Sequence, residues 1–181
     1  TKQVAEYRNL VEKRKVDVIA GYISSGNCQA LAPVAEELKQ FTIFATCGTP
    51  RIFEESERKY VFRTMAHATA DNVAAAMYVK EKYPGLGGYT GINQNYAWGQ
   101  DSWRDFDLTL KQILPNSKAS DTTQFPKIFA GQYGSEISAL ALDEADLVHT
   151  SFWGGDLEAF IFQGNARGLF QDTIGVFNVG G

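Results

Sequence analysis

The chain has little of what most catalytic and metal centres are made from: two histidines and two cysteines in 181 residues. His67 and His149 have no partner at metal-ligand spacing, so no metal site is expected and each reads as a structural, hydrogen-bonded histidine. No G-x-S-x-G nucleophile elbow is present. Gly85-Leu86-Gly87-Gly88 precedes a strand-like segment instead of following one, and Gly154-Gly155 lacks the rest of a dinucleotide fingerprint, so no cofactor is expected. Positive charge is scarce as well. Seventeen Lys and Arg stand against 21 Asp and Glu, for a net charge of -4. The only basic run, Lys13-Arg14-Lys15, is flanked by Glu12 and Asp17, which argues against nucleic-acid binding. No apolar run is long enough to span a bilayer, and the charged opening residues are no signal peptide. Cys28 and Cys47 read either as two small buried residues or as a pair; their number alone does not define a redox compartment.

Apolar residues make up 44% and charged residues 21%, as in an ordinary globular protein. The length suits one domain or two small ones. Strand-like and helix-like segments alternate. Residues 16–22 (VDVIAGY) are β-rich and lead into a turn, and 29–40 place Ala30, Leu31, Val34, Ala35 and Leu38 on one helical face. Residues 41–46 (FTIFAT) form a nearly continuous apolar strand, as parallel strands covered on both faces do. After a short turn at 51–57 and a strand at 60–63 come a helix at 69–83 and a strand at 86–92. A helix at 99–114 and a weak strand at 119–124 follow. A helix at 134–143, a strand at 146–151, a helix at 156–168 and a strand at 173–178 complete the series. The pattern predicts an α/β fold with doubly wound parallel sheets. The stretch TMAHA, residues 64–68, suits a crossing between two sheets. A helix with no strand before it and a strand running into glycines suggest an interior piece of something larger.

In open α/β sheets ligands bind beyond the carboxyl ends of the strands. That rule singles out the loops at 24–27, 46–49, 93–98, 152–155 and 178–181. They hold hydroxyls, amides, glycines and aromatics but almost no ionisable groups, a set suited to holding a small molecule. Ser24 and Ser25 ahead of a helix read either as an anion site at a helix N-terminus or as an ordinary cap. Thr46, Cys47, Gly48 and Thr49 ahead of Pro50 offer the same two readings. Trp98 and Trp153, with Tyr96 and Phe152 beside them, point to a ligand wall. Trp103, three and seven residues from Phe106 and Leu110, reads as core. Asp101 and Asp105, with Arg104 between them, read as a solvated charged face.

Several runs together resemble the branched-chain-amino-acid-type, or type I, periplasmic solute-binding proteins of ABC importers. V-I-A-G-Y-I-S-S-G-N (residues 18–27) with L-A-P-V-A-E-E-L (31–38) resembles that family's strand, serine loop and helix. Y-V-F-R-T (60–64), ahead of Asp71-Asn72-Val73-Ala74, is similar to its crossing between lobes. N-Y-A-W-G-Q-D (95–101) resembles its motif of an aromatic before glycine, and the spacing to S-F-W-G-G-D (151–156) also fits. The resemblance implies a bilobed clamshell, with residues 1–63 part of the first lobe and 64–181 part of the second. It implies a monomeric, extracytoplasmic binding protein, anchored if at all through a missing N-terminus, that hands a small solute to importer permease subunits and is no enzyme. Carried over by position, Ser25 matches a carboxylate-binding serine, 46–49 match a second carboxylate loop, Trp98 matches a cleft aromatic, and Phe152 or Trp153 the aromatic near the ligand's amino group. An oxidising compartment then favours a Cys28–Cys47 disulfide closing a loop of about 20 residues, worth roughly 3 kcal/mol. Two departures matter. The loop after the last strand shows Asn178-Val179-Gly180-Gly181 where the family places an acidic residue, and tryptophan replaces tyrosine at two cleft positions. Both make an aromatic or otherwise planar carboxylate as suitable a ligand as an aliphatic amino acid. The alternatives are a sensory domain of the same shape and, less favoured, a doubly wound enzyme using the same loops.

Overall fold

A computed structural model describes residues 2–178. The chain divides into two compact units, one running through His67 and the other beginning at Ala68.

The first unit opens with helix α1, Lys2–Arg8, which continues as a π-helical turn at Asn9–Lys13. Strands β1, Ile19–Gly21, β2, Thr42–Phe44, and β3, Val61–Arg63, form a parallel sheet in the order β1-β2-β3. Helix α2, Ser25–Leu38, connects the first two strands, and the short α3, Arg51–Glu54, lies between the second and third. Leu31, Ala32, Val34 and Ala35 of α2 pack with Phe44 and Val61 of the sheet and Tyr7 of α1. Each large side chain so buried contributes about 1.5–3 kcal/mol. Tyr7 is wholly buried, and its hydroxyl lies 2.6 Å from Thr42 Oγ1, which satisfies the polar end of an otherwise apolar group. Helix α2 ends at Lys39, whose left-handed φ of 52° closes it as an αL cap.

The second unit has α4, Ala68–Lys82, β4, Gly88–Gly91, α5, Ala97–Ile113, and β5, Lys118–Ala119. It continues with α6, Gly134–Leu142, β6, Leu147–Thr150, α7, Gly154–Ala166, α8, Leu169–Asp172, and β7, Ile174–Phe177. Its sheet is parallel throughout, in the order β5-β4-β6-β7. The chain places β5 on one side of β4 and returns to place β6 on the other. Two apolar clusters result. One joins Ala76 and Val79 of α4 and Phe106 and Leu110 of α5 to Tyr89 and Leu147. The other joins Ile137, Leu140 and Phe160 of α6 and α7 to Ile92, Val148 and Phe152. This is a doubly wound α/β unit, as the alternating pattern predicts, and Trp103 packs with the first cluster as its spacing implies.

Three expectations need correction. The helices α2 and α5 begin earlier than their apolar faces suggest, so Ser25 and Trp98 sit in first helical turns and not in loops. The strand β5 is only two residues long, and Gln124 rejoins the sheet as an isolated bridge to Ile92. Asp101 and Asp105 are buried, not solvated. Arg104 reaches both, at 3.3 and 2.7 Å, and the Thr69 hydroxyl donates to Asp105 at 2.6 Å. Buried carboxylates need such partners, and Arg104 supplies the opposite charge.

Candidate functional site

In the first unit the carboxyl ends of β1 and β2 lie side by side. Gly21 and Tyr22 leave β1 with φ of 140° and 64°, a sharp turn that brings Ser24 to the head of α2. Ser24 is the N-cap with extended backbone but makes no side-chain capping bond. Its hydroxyl therefore does not occupy the first-turn N–H groups, which stay aimed along the helix axis with the positive end of the dipole. Ser25 is buried, and its Oγ accepts a hydrogen bond from Thr49 N at 3.2 Å. Cys28, one turn into α2, is bonded to Cys47, with Cα atoms 6.2 Å apart. Arg63, at the end of β3, donates to the carbonyls of Cys47 and Thr49 at 2.9 and 2.7 Å. Thr46 is half-buried and its hydroxyl donates to Ile23 O at 3.4 Å, while Gly48 and Thr49 are buried. The residues Ser24, Ser25 and 46–49 are thus brought together as one rigid group.

In the second unit the strand order reverses between β4 and β6, so the loops at their carboxyl ends flank the topological switch point. Trp98 is buried, and its Nε1–H donates to Ser151 O at 2.9 Å, tying the start of α5 to the end of β6. Gly99 follows because nothing larger fits: a Cβ there would stand 2.0 Å from the Gln94 carbonyl oxygen. Trp153 is half-buried, and its Nε1–H donates to the Tyr96 hydroxyl at 2.8 Å. Burial pushes the Tyr96 hydroxyl up to about 12; the bond from Trp153 opposes the shift and the Asp156 charge adds to it. It remains a neutral phenol. Phe152 points the other way: it is wholly buried against Tyr133 and Phe160 in the core.

Beneath these loops runs a buried polar network that the sequence pattern does not reveal. Asn93 Oδ1 accepts from both Ser151 N and Ser151 Oγ, at 2.9 and 2.7 Å. His149 lies between Asn93 and Asn72, with Nδ1 3.5 Å from Asn93 Nδ2 and Nε2 2.8 Å from Asn72 Oδ1. Phe106 stacks on the imidazole at 4.2 Å. Burial pushes His149 down to about 3, so the ring is neutral, donating through Nε2–H and accepting at Nδ1. It is a structural histidine. Asn178 joins the network through its amide, 2.7 Å from Asn72 Oδ1; residues 179–181 of the fifth expected loop lie outside the described residues. Asp156, in the first turn of α7, accepts from Gln94 Nε2 and from Phe129 N. Among the described residues no cluster of metal-ligating side chains occurs.

Each unit taken by itself carries strand-end groups that suit a small molecule: N–H donors and hydroxyls at residues 24–25 and 46–49 in the first, and aromatic faces and amides in the second. The sequence model of a family described as Periplasmic binding protein matches residues 1–181. No curated protein sequence matches the chain. Among solved structures, a solute-binding protein of an ABC transporter from Rhodopseudomonas palustris HaA2, in complex with p-hydroxybenzoic acid, is 23% identical with a TM-score of 0.84; the match covers 96% of this chain and 45% of that one. A second from R. palustris, in complex with benzoate, is 22% identical with a TM-score of 0.83, over 93% of this chain and 45% of that one. A leucine-binding protein from Thermotoga maritima MSB8 is 18% identical with a TM-score of 0.78, over 92% and 46%. The chain therefore spans a little under half the length of these relatives.

Proposed function

The chain belongs to the periplasmic binding protein family, and on that premise we propose that it is part of an extracytoplasmic receptor that binds a small carboxylate and passes it, chemically unchanged, to an ABC importer. One observation carries the reading: the family match runs over residues 1–181. Members of the family are extracytoplasmic binding proteins of transport systems. No described helix is long and apolar enough to cross a membrane.

The carboxylate goes to the first unit. Uncapped N–H groups at the start of α2, the Ser24 and Ser25 hydroxyls and the amides of 46–49 are donors for an anion, with no acidic side chain among them to repel it. In the second unit, Tyr96 and Trp153 offer aromatic faces suited to the flat body of a small ligand. Trp98 and Phe152 act behind them, Trp98 by holding the end of β6 and Phe152 by anchoring its loop in the core. Asp156, the acid behind Tyr96, is buried and already accepts from Gln94 and Phe129, which favours a benzoate-like ligand over an amino acid, whose ammonium needs a free counter-charge. Residues 1–63 and 64–181 are assigned as parts of the two lobes, an assignment that the division at His67 supports.

The test is a thermal-shift series on the full-length protein with benzoate, 4-hydroxybenzoate, leucine and glutamate, followed by mass spectrometry of the released ligand. One carboxylate should stabilise saturably, by about 2.7 kcal/mol at 100 times its Kd, and be recovered unaltered. No stabilisation by any of the four overturns the proposal, and a product of altered mass overturns the absence of chemistry.

A further inference from the structure

The loop after β5 is not among the strand-end loops that the sequence singles out, yet it carries an unusual aromatic. Phe129 has a left-handed φ of 60° and is 69% exposed. A bulky residue in that conformation is strained, and core burial does not account for it. The surrounding structure holds it there. Phe129 N donates at 2.8 Å to Asp156 Oδ2, the oxygen that also accepts from Gln94. Gln163 grips the turn that follows, donating to Gly131 O at 3.0 Å and accepting from Tyr133 N at 2.8 Å. Asp156 is 3% exposed and Gln94 fully buried, so the loop is fastened to the ends of β4 and β6 by interior groups. The outcome is an aromatic surface made from three strand-end loops. The Phe129 ring meets Trp153 edge to face, with centroids 5.6 Å apart and planes at 85°, and Trp153 is bonded in turn to Tyr96.

We propose that Phe129 is a specificity-determining residue, which with Trp153 and Tyr96 forms an aromatic wall that selects ligands with a flat ring over those with a branched aliphatic body. This rests on the carboxylate-binding reading above. A ring presented beside an existing edge-to-face pair offers a further aromatic ligand a partner of defined geometry, whereas an aliphatic chain gains only contact area.

The test is calorimetric titration of the full-length protein with benzoate and with leucine, for the wild type, Phe129→Ala and Phe129→Trp. Phe129→Ala should weaken benzoate binding about tenfold while changing leucine binding less than about threefold, and Phe129→Trp should restore benzoate binding. Phe129→Leu serves in place of the alanine variant if that one melts early. Unchanged benzoate affinity in Phe129→Ala overturns the proposal, as does an equal loss for both ligands, which marks a purely structural role. Wild-type binding of leucine without benzoate overturns this inference and leaves carboxylate binding standing. Binding of neither also overturns this inference, and carboxylate binding falls with it only if 4-hydroxybenzoate and glutamate fail to stabilise as well.

Discussion

The two units solve one problem, holding the loops beyond parallel strands, by different means. In the first, β1, β2 and β3 lie in sequence order, and adjacent strand ends are joined by a disulfide, by the Ser25–Thr49 bond and by Arg63 on two carbonyls. The side chains of residues 24–25 and 46–49 are small. In the second, the order reverses at β4 and β6, and the loops there are tied by large aromatics and a buried chain of Asn72, His149, Asn93 and Ser151. A reversal of strand order leaves a crevice that bulky groups can line. Where the described strands run consecutively, short covalent and main-chain ties hold the strand ends.

The largest way to break this contrast lies in the second unit. Alanine is ordinarily better than glycine in a helix by about 1 kcal/mol. At Gly99 that gain is overwhelmed, because the new Cβ would meet the Gln94 carbonyl oxygen at 2.0 Å, with Gln94 N and C within 3 Å. These are backbone atoms at the turn from β4 into α5, and they cannot swing aside. Gly99→Ala should destabilise the full-length protein by about 4 kcal/mol, read from urea denaturation. A loss below about 1 kcal/mol would show that the turn yields.

Next comes the covalent tie of the first unit. Cys28 and Cys47 are 19 residues apart in sequence, and a loop of that size contributes about 3 kcal/mol in the chain-entropy account. The double variant Cys28→Ala/Cys47→Ala should lower stability by that amount. Hydrogen exchange should rise in α2 and β2 and stay unchanged in β4 and β6. Equal loosening in both units would mean that the contrast drawn here is too sharp.

A smaller effect is conditional on pH. The His149 imidazole titrates near 6.5 when unfolded and is pushed by burial down to about 3 when folded. Between those values the unfolded chain binds a proton that the folded chain does not, so stability rises with pH and falls as the solution is acidified through this window. The slope is at most about 1.4 kcal/mol per pH unit, and the loss from pH 7 to pH 5 is about 2 kcal/mol. His149→Gln should remove that component. Exchange at the β6 amides, followed at both pH values in the two proteins, checks it; an identical acid response in both would sink the assignment.

Much of this was legible in the sequence, and what was not has a common cause. Strands and helices follow from apolar periodicity, so β2, α4 and α6 fall close to where the pattern puts them. Cys28 and Cys47 are paired as the family resemblance implies. The errors gather at strand ends. Gly99 sits inside the first helical turn of α5, where close approach to Gln94 and not propensity selects the residue. Phe152 and Trp153 are neighbours of similar composition, yet one faces the core and the other the surface, a choice set by the register of β6. Asp101 and Asp105 suggest a wet face until Arg104 and Thr69 are seen to cover them. Phe129 lies in an aperiodic loop, and only its left-handed backbone, its bond to Asp156 and its contact with Trp153 single it out.

The smallest expected change in stability tests the first unit's polar group directly. Ser25→Ala removes the acceptor of the 3.2 Å bond from Thr49 N. Because that bond is long and the loop is also held by Arg63 and the disulfide, the cost should be only about 1 kcal/mol. Carboxylate affinity should suffer more than stability, since the lost hydroxyl is one of few side-chain donors available to the anion: a drop of about tenfold, against no change in the Tyr96–Trp153 pair. Calorimetric titration of benzoate into the full-length variant, set beside its urea midpoint, separates the two effects. Full affinity with lowered stability would make Ser25 a structural tie like Trp98, and would leave the α2 amides and residues 46–49 as the anion's donors.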